Sequence, residues 1–303
     1  MMDWSDRHYR FFMRQISAHA RLYTEMITTG ALLHGDVERH LAFSEEEHPV
    51  ALQLGGSEPD ELARCAKLGE RYGYDEINLN IGCPSERVQR GAFGACLMAE
   101  PELVSSCISR IRSEVQIPVT VKHRVGIDQV EEYSFVRDFV GTVSQAGCRT
   151  FIVHARNAVL KGLSPKENRE VPPLKYDYVY RLKQDFPRLE MVINGGITSQ
   201  AQIESQLAKV DGVMLGRAAY HDPWLLADAG KTRADVVLAM CEYARQHLPL
   251  RQVARHMLGL YHGAPRARLW RRMLSDAERL KENRAELLLD ALEAVENREE
   301  IGV

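Results

Sequence analysis

The sequence predicts an α/β protein: a TIM (β/α)8 barrel followed by a small all-α helical bundle. Three observations carry this. Short apolar or β-branched runs alternate with segments of helical spacing from residue 22 to residue 216. The runs are apolar at consecutive positions, as strands buried on both faces are. From residue 233 onward the strand signal stops and helical spacing continues alone. Regular alternation over that length favours a closed barrel over an open doubly wound sheet.

Seven strands are expected, at 22–27, 50–55, 76–81, 118–123, 150–154, 191–195 and 212–216, with helices at 61–72, 103–115, 133–146, 178–186 and 199–209 between them. The last two strands lead into Ile193-Asn194-Gly195-Gly196-Ile197 and Met214-Leu215-Gly216-Arg217-Ala218. Barrels commonly bind phosphate in the loops after strands seven and eight. If these are strands seven and eight, the first strand falls upstream of Met1, residues 6–16 form the first helix, and the chain is truncated at its amino terminus. The alternative is a stub at 1–4 and an open barrel, which leaves two unpaired edges. Helices are then expected at 234–247, 252–261, 267–280 and 284–297, with the connections of a small bundle. The boundary falls at 228–232, giving a barrel over 1–230 and a helical domain over 231–303.

Composition narrows the class. The 303 residues are 45% apolar and 27% charged, which excludes disorder for most of the chain. The 39 Lys+Arg and 42 Asp+Glu leave a net charge of -3, so any electrostatic partner must be sought in the distribution of charge. No run approaches the ~18 apolar residues of a membrane span, and the start lacks a signal-peptide layout. Six cysteines without a Cys-x-x-Cys pair suit reduced thiols in a cytoplasmic protein. The Rossmann and P-loop fingerprints are absent, as are zinc-type clusters, so no metal is expected.

Chemistry is expected at the carboxyl ends of the strands, where barrel enzymes place it. The third run ends Asn78-Leu79-Asn80-Ile81-Gly82-Cys83-Pro84-Ser85, fixing Cys83 between Gly82 and Pro84, three residues after Asn80. An ordinary thiol is mostly protonated at neutral pH, so Cys83 could serve as proton donor or as nucleophile. A small buried cysteine is the structural alternative. Lys122 and His123 end the next run, His154 the one after, and Gln53 an earlier one. Each alone reads equally well as a solvated or packed group; four strand ends offering Gln, Cys, Lys and His read as an anion or cofactor site. Gly195 and Gly196 let backbone N–H groups approach an anion, and Gly216 followed by Arg217 sets a guanidinium beside it. Glycine also serves ordinary strand–helix turns.

Charge is segregated near the carboxyl terminus. From Tyr243 to Ser275 there is no Asp or Glu, while seven arginines occur, with Tyr261, Trp270, His256 and His262 interleaved. Arginines and aromatics together suit phosphate contact and base stacking, the footprint of a nucleic acid. A solvated helical face balanced by the acids of 293–300 is the other reading. A second basic stretch, at 156–175, carries Lys161, Lys166, Arg169 and Lys175 in a long loop at the barrel mouth.

Ile77-Asn78-Leu79-Asn80-Ile81-Gly82-Cys83-Pro84, followed by Gly91 to Ala95, resembles the signature of the tRNA-dihydrouridine synthases. His154-Ala155-Arg156, the stretch 162–169, Arg255-His256-Met257-Leu258-Gly259-Leu260 and Arg268-Leu269-Trp270-Arg271-Arg272 resemble the bacterial A subfamily. The resemblance implies a flavin barrel with a helical tRNA-recognition domain. It implies FMN held by Gln53, Lys122, His154, Asn194, Gly195, Gly196, Gly216 and Arg217, with Met1 and Met2 all that remains of an opening strand that lies against the flavin. It makes Cys83 the proton donor, Asn80 a neighbour contacting tRNA, and Lys166, Arg169, Arg268 and Arg271 the residues that orient tRNA. The implied reaction takes hydride from NADPH and reduces uridine to 5,6-dihydrouridine at D-loop positions 20 and 20a. A flavin barrel reducing a free pyrimidine would not need the arginine-rich bundle. A non-catalytic tRNA-binding protein would hold no flavin.

Overall fold

The computed structural model describes residues 1–296. Seven strands form one parallel sheet in sequential order: β1 (Leu22–Thr28), β2 (Val50–Gly55), β3 (Glu76–Ile81), β4 (Val119–His123), β5 (Thr150–His154), β6 (Glu190–Asn194) and β7 (Gly212–Met214). Every pairing is between neighbours in the sequence and parallel, the topology of (β/α) barrels. The helices between strands are where their apolar periodicity put them. Helix Pro59–Arg71 starts on a proline at its first turn and buries Leu62, Cys65, Ala66 and Gly69. Helix Pro101–Arg112 packs beside it, and Tyr133–Gln145 packs beside Pro101–Arg112 in turn.

The chain divides into two compact units. One is made of residues 21–43 and 48–216 and holds the whole sheet; the other is made of 1–20, 44–47 and 217–303 and is helical throughout its described part. This division differs from one cut near residue 230, and the side chains of 1–20 explain why. Asp6 caps helix Arg7–Ile16 by accepting from the Tyr9 N–H at 3.0 Å. It also accepts from His256 at 3.0 Å and from Arg255. Within the same unit Arg10 donates to the buried Glu47 at 2.6 Å, and Arg14 donates to the carbonyls of Ser17, Ala20 and Glu47.

Helix Arg233–Gln246 matches its expected span to within a residue, and the helices after it are shorter than their periodicity suggests. The segment expected as a helix over 252–261 is a single turn, Leu250–Ala254, followed by tight turns. There Gly259 passes so close to Tyr220 and His221 that a β-carbon would stand 2.6 Å from a carbonyl oxygen. The run expected over 267–280 is two helices, Ala267–Leu274 and Ala277–Lys281. Asp276 separates them by accepting from the N–H groups of Glu278 and Arg279. The last helix is Leu287–Glu296, and the acidic residues expected to balance the bundle lie partly outside the described residues.

Candidate active site

Register decides which side chains share the inner face of the sheet. Gln53 stands opposite Asn78, Asn78 opposite Thr120, Asn80 opposite Lys122, and His154 opposite Asn194. With side chains alternating along a strand, Glu76, Asn78 and Asn80 share one face while Ile77, Leu79 and Ile81 are buried on the other. Gln53, Asn80, Lys122, His154 and Asn194 thus stand near the carboxyl ends of five adjacent strands. His123 does not join them. It turns to the opposite face, fully buried, with its ring 5.1 Å from Phe139.

Cys83 is fixed through its backbone. The side-chain oxygen of Asn80 accepts from both the Gly82 and Cys83 N–H groups at 3.0 Å. Arg124 donates to the Gly82 carbonyl at 3.2 Å, and the Ala95 N–H donates to the Cys83 carbonyl at 2.9 Å. The thiol is half-buried and 3.5 Å from the Ser85 hydroxyl.

The charges around this turn are mostly positive. Burial, with Arg124 beside it, pushes the Lys122 ammonium down to about 8, and Cys83 is close enough to act on it in the opposite sense. Its Nζ is 3.4 Å from Asn194 Oδ1, while Asn194 Nδ2 donates to the Met214 carbonyl at 2.8 Å. His154 is held well below the ordinary imidazole range by burial, then by Arg124, Lys122, Arg156 and Arg169, so it is neutral at pH 7. Arg124 is itself buried and spends its guanidinium on the carbonyls of Gly82, Asn157 and Asn168. An arginine satisfied by carbonyls keeps its full charge in the site, because carbonyls do not neutralise it.

Gly195 and Gly196 carry φ values of +115° and +70°. A β-carbon on Gly195 would stand 2.7 Å from His154, and one on Gly196 2.7 Å from Leu174. Their freedom is needed first to let the turn pass these side chains. Gly216 closes the sheet-bearing unit, and Arg217 opens helix Arg217–His221 of the other. Met1 and Met2 also belong to that helical unit, with Met2 60% exposed and the Met1 carbonyl accepting from the Trp4 and Ser5 N–H groups.

Lys166 and Arg169 are exposed on the loop after β5. That loop is organised by Asn168, which is fully buried, accepts from the Val159 N–H at 2.7 Å and donates to the Val159 and Leu163 carbonyls. Arg268 and Arg271 are exposed on helix Ala267–Leu274, and among the described residues neither has an acidic partner. Three of the four rings interleaved with them are a correction to the stacking expectation, the exposed His262 being the exception. Trp270, Tyr261 and His256 are at most 4% exposed. Trp270 donates to the Met257 carbonyl and Tyr261 to Glu296, so these rings form the core of the bundle and present no face to a base.

Sequence reading missed Glu76, Asn78, Thr120, Arg124 and Asn168. Four of these sit two or four residues from a chosen strand-end residue, so strand periodicity alone could have found them. A cavity of ≈ 460 Å³ beside β1 and β2, lined by Thr28, Thr29, Gly55, Gly56, Glu61 and Phe93, holds none of the expected site residues. Among the described residues no group of three or more His, Cys, Asp or Glu could hold a metal ion. No helix there is long and apolar enough to cross a membrane.

A parallel sheet in sequential order defines a barrel-type fold, and an immobilised thiol, a half-buried lysine and a neutral histidine stand at its strand ends. The fold has a solved counterpart in a 2-naphthoyl-CoA reductase bound to 2-naphthoyl-CoA, with TM-score 0.54 and 10% identity, covering 75% of this chain and 46% of that one. The profile of the family described as Dihydrouridine synthase (Dus) matches residues 1–296, and the chain belongs to that family. It is 54% identical to tRNA-dihydrouridine(20/20a) synthase of Synechocystis sp., over 97% of this chain and 92% of that one. It is 57% identical to the protein of the same name from Shewanella oneidensis (91% and 86% covered) and 56% to that of Escherichia coli K12 (91% and 84%).

Proposed function

We propose that this protein reduces uridine to 5,6-dihydrouridine in the D-loop of tRNA, at positions 20 and 20a, with FMN as its cofactor and NADPH as transient reductant. Family membership and relatives named for that modification support the reading. The observation that carries it is Cys83, a thiol immobilised through both its peptide groups within electrostatic reach of Lys122.

The side chains at the mouth fit a flavin. Such a ring presents hydrogen-bonding edges and gains negative charge on reduction, and the mouth offers the amides of Gln53 and Asn194, the cation of Lys122 and a neutral His154. Among the charges acting most strongly on Lys122 and His154 there is no carboxylate. Held by these groups, an FMN would supply the hydride that uracil C6 receives. Lys122 contributes the positive field that favours electron-rich states of its neighbours, the tuning a protein gives a cofactor. Gly195 and Gly196 provide the turn for a phosphate end. Cys83 holds the proton that goes to uracil C5 as general acid, worth roughly 10²–10⁴-fold in rate. The uridine has to leave its stack to reach these groups. Lys166 and Arg169 on the β5 loop, and Arg268 and Arg271 on their helix, contact tRNA phosphates. This chemistry is that of a cytoplasmic enzyme.

The test is direct. Protein supplied with FMN, NADPH and an unmodified tRNA transcript should add two hydrogens to uridine 20 or 20a, read by mass spectrometry of nuclease fragments. Free uridine should remain unreduced. Cys83→Ala should keep flavin absorbance and lose about 10²-fold or more in rate. Turnover of that variant at the wild-type rate would falsify the assignment.

A further inference from the structure

The inner face of β2, β3 and β4 carries a continuous line of polar side chains where barrels usually pack branched apolar ones. Its direction is fixed by chemistry. Glu76, 1% exposed at the first residue of β3, receives Arg21 and the Tyr23 hydroxyl. An ionised carboxylate only accepts, so the Thr120 hydroxyl donates to Glu76, at 2.6 Å. Thr120 therefore accepts from Asn78 Nδ2, at 2.8 Å. Asn78 must then turn its oxygen the other way, where it accepts from Gln53 Nε2 at 2.8 Å. Gln53 in turn offers its oxygen to Asn80 Nδ2, also at 2.8 Å. This leaves the Asn80 oxygen facing the Gly82 and Cys83 N–H groups. Every amide orientation from the start of β3 to the thiol turn follows from one buried carboxylate.

We infer that Glu76 is a positioning residue for Cys83 and Gln53, acting through Thr120, Asn78 and Asn80. Reversing any amide in the line would set N–H against N–H or oxygen against oxygen, so the line holds one state and carries it to the mouth. The Asn80 oxygen faces two N–H groups only while the line keeps this direction; with the amide reversed, the turn bearing Cys83 loses both. The catalytic consequence rests on Cys83 as proton donor. The line itself does not.

The experiment compares Thr120→Val, which keeps the shape and breaks the line, with Thr120→Ser, which restores the hydroxyl. Iodoacetamide alkylation of each cysteine is followed by peptide mass spectrometry, beside kcat and KM for tRNA. Thr120→Val should change the Cys83 alkylation rate at least fivefold, while the buried Cys65, Cys107 and Cys148 stay protected. It should lower kcat at least tenfold with KM within threefold, and Thr120→Ser should bring both readouts back to within threefold of wild type. Unchanged Cys83 reactivity and kcat, equal losses in the two variants, or exposure of the buried cysteines in parallel would overturn the inference. If Thr120→Val does not fold, Glu76→Gln, which removes the obligate acceptor, must change the Cys83 alkylation rate at least fivefold with the buried cysteines still protected; no change overturns it. Alkylation needs neither flavin nor tRNA, so a wild-type protein inactive on tRNA would refute the proposed function and still leave the line tested.

Discussion

Lys122 shows how a single side chain can be unfavourable for the fold and useful to the site. In the unfolded chain a lysine keeps its proton to about pH 10.4. Burial and Arg124 bring this one down to about 8. Between those values the unfolded chain binds more protons, so stability rises with pH across that window, and below pH 8 the penalty is present in full. Lys122→Met should therefore raise the melting temperature of the flavin-free protein at pH 7, by ~2–4 °C for a gain of about 1 kcal/mol. The wild-type rise in stability between pH 8 and 10 should vanish in the variant, and so should most of the stabilisation that added FMN brings. Scanning fluorimetry with and without FMN reads all three. A lower melting temperature for the flavin-free variant would show that Lys122 holds the fold together.

At the scale of elements, helix Ala267–Leu274 separates two roles that its sequence mixes. Trp270 and Leu274 are buried on one side, and Arg268 and Arg271 are exposed on the other. Trp270→Ala should cost ~3–5 kcal/mol, the usual result of emptying so large a site. Arg268→Ala with Arg271→Ala should leave stability within ~0.5 kcal/mol. The double change should weaken tRNA binding and flatten its salt dependence by about one unit of slope per lost phosphate contact. Unaltered affinity across a salt titration would remove these arginines from the tRNA surface. The same helix shows where sequence reading ran out. Its arginines were legible as a surface because nothing acidic accompanies them. Its tryptophan was not legible as core, because arginine beside aromatic describes both an RNA platform and an amphipathic helix. The strands were plainer. Val50–Gly55 and Thr150–His154 are where largely apolar runs predict them, since few other elements bury both faces, and Glu76–Ile81 is where its alternating Ile, Leu and Ile predict it. Thr29–His34 and Val37–Leu41 were invisible to periodicity, being too short to complete it. Their N-caps Thr28 and Asp36 were the available signal.

Across the whole molecule, the beginning of the chain folds with its end. Asp6 receives hydrogen bonds from the Tyr9 N–H, His256 and Arg255, partners up to 250 residues away. Burial by itself would raise this carboxyl, but the hydrogen bond and charge of His256, then Tyr9 and Arg255, outweigh it and hold the group far below the usual carboxylate range. A depressed carboxylate contributes stability that is complete above the unfolded value of ~3.9 and is lost as pH falls through the folded one. Asp6→Asn should therefore destabilise the protein at pH 7 by ~1.5–3 kcal/mol, the range for a hydrogen-bonded charge. In a chain of this size that is a fall of several degrees, at ~2–4 °C per kcal/mol. Because the wild type surrenders the same contribution in acid, the two melting curves should converge as pH drops below ~3.9. Thermal melts from pH 7 to pH 2 check this. A gap that stayed constant to pH 2 would mean that Asp6 acts through shape and capping alone, and that its charge does not join the amino-terminal helix to residues 255 and 256.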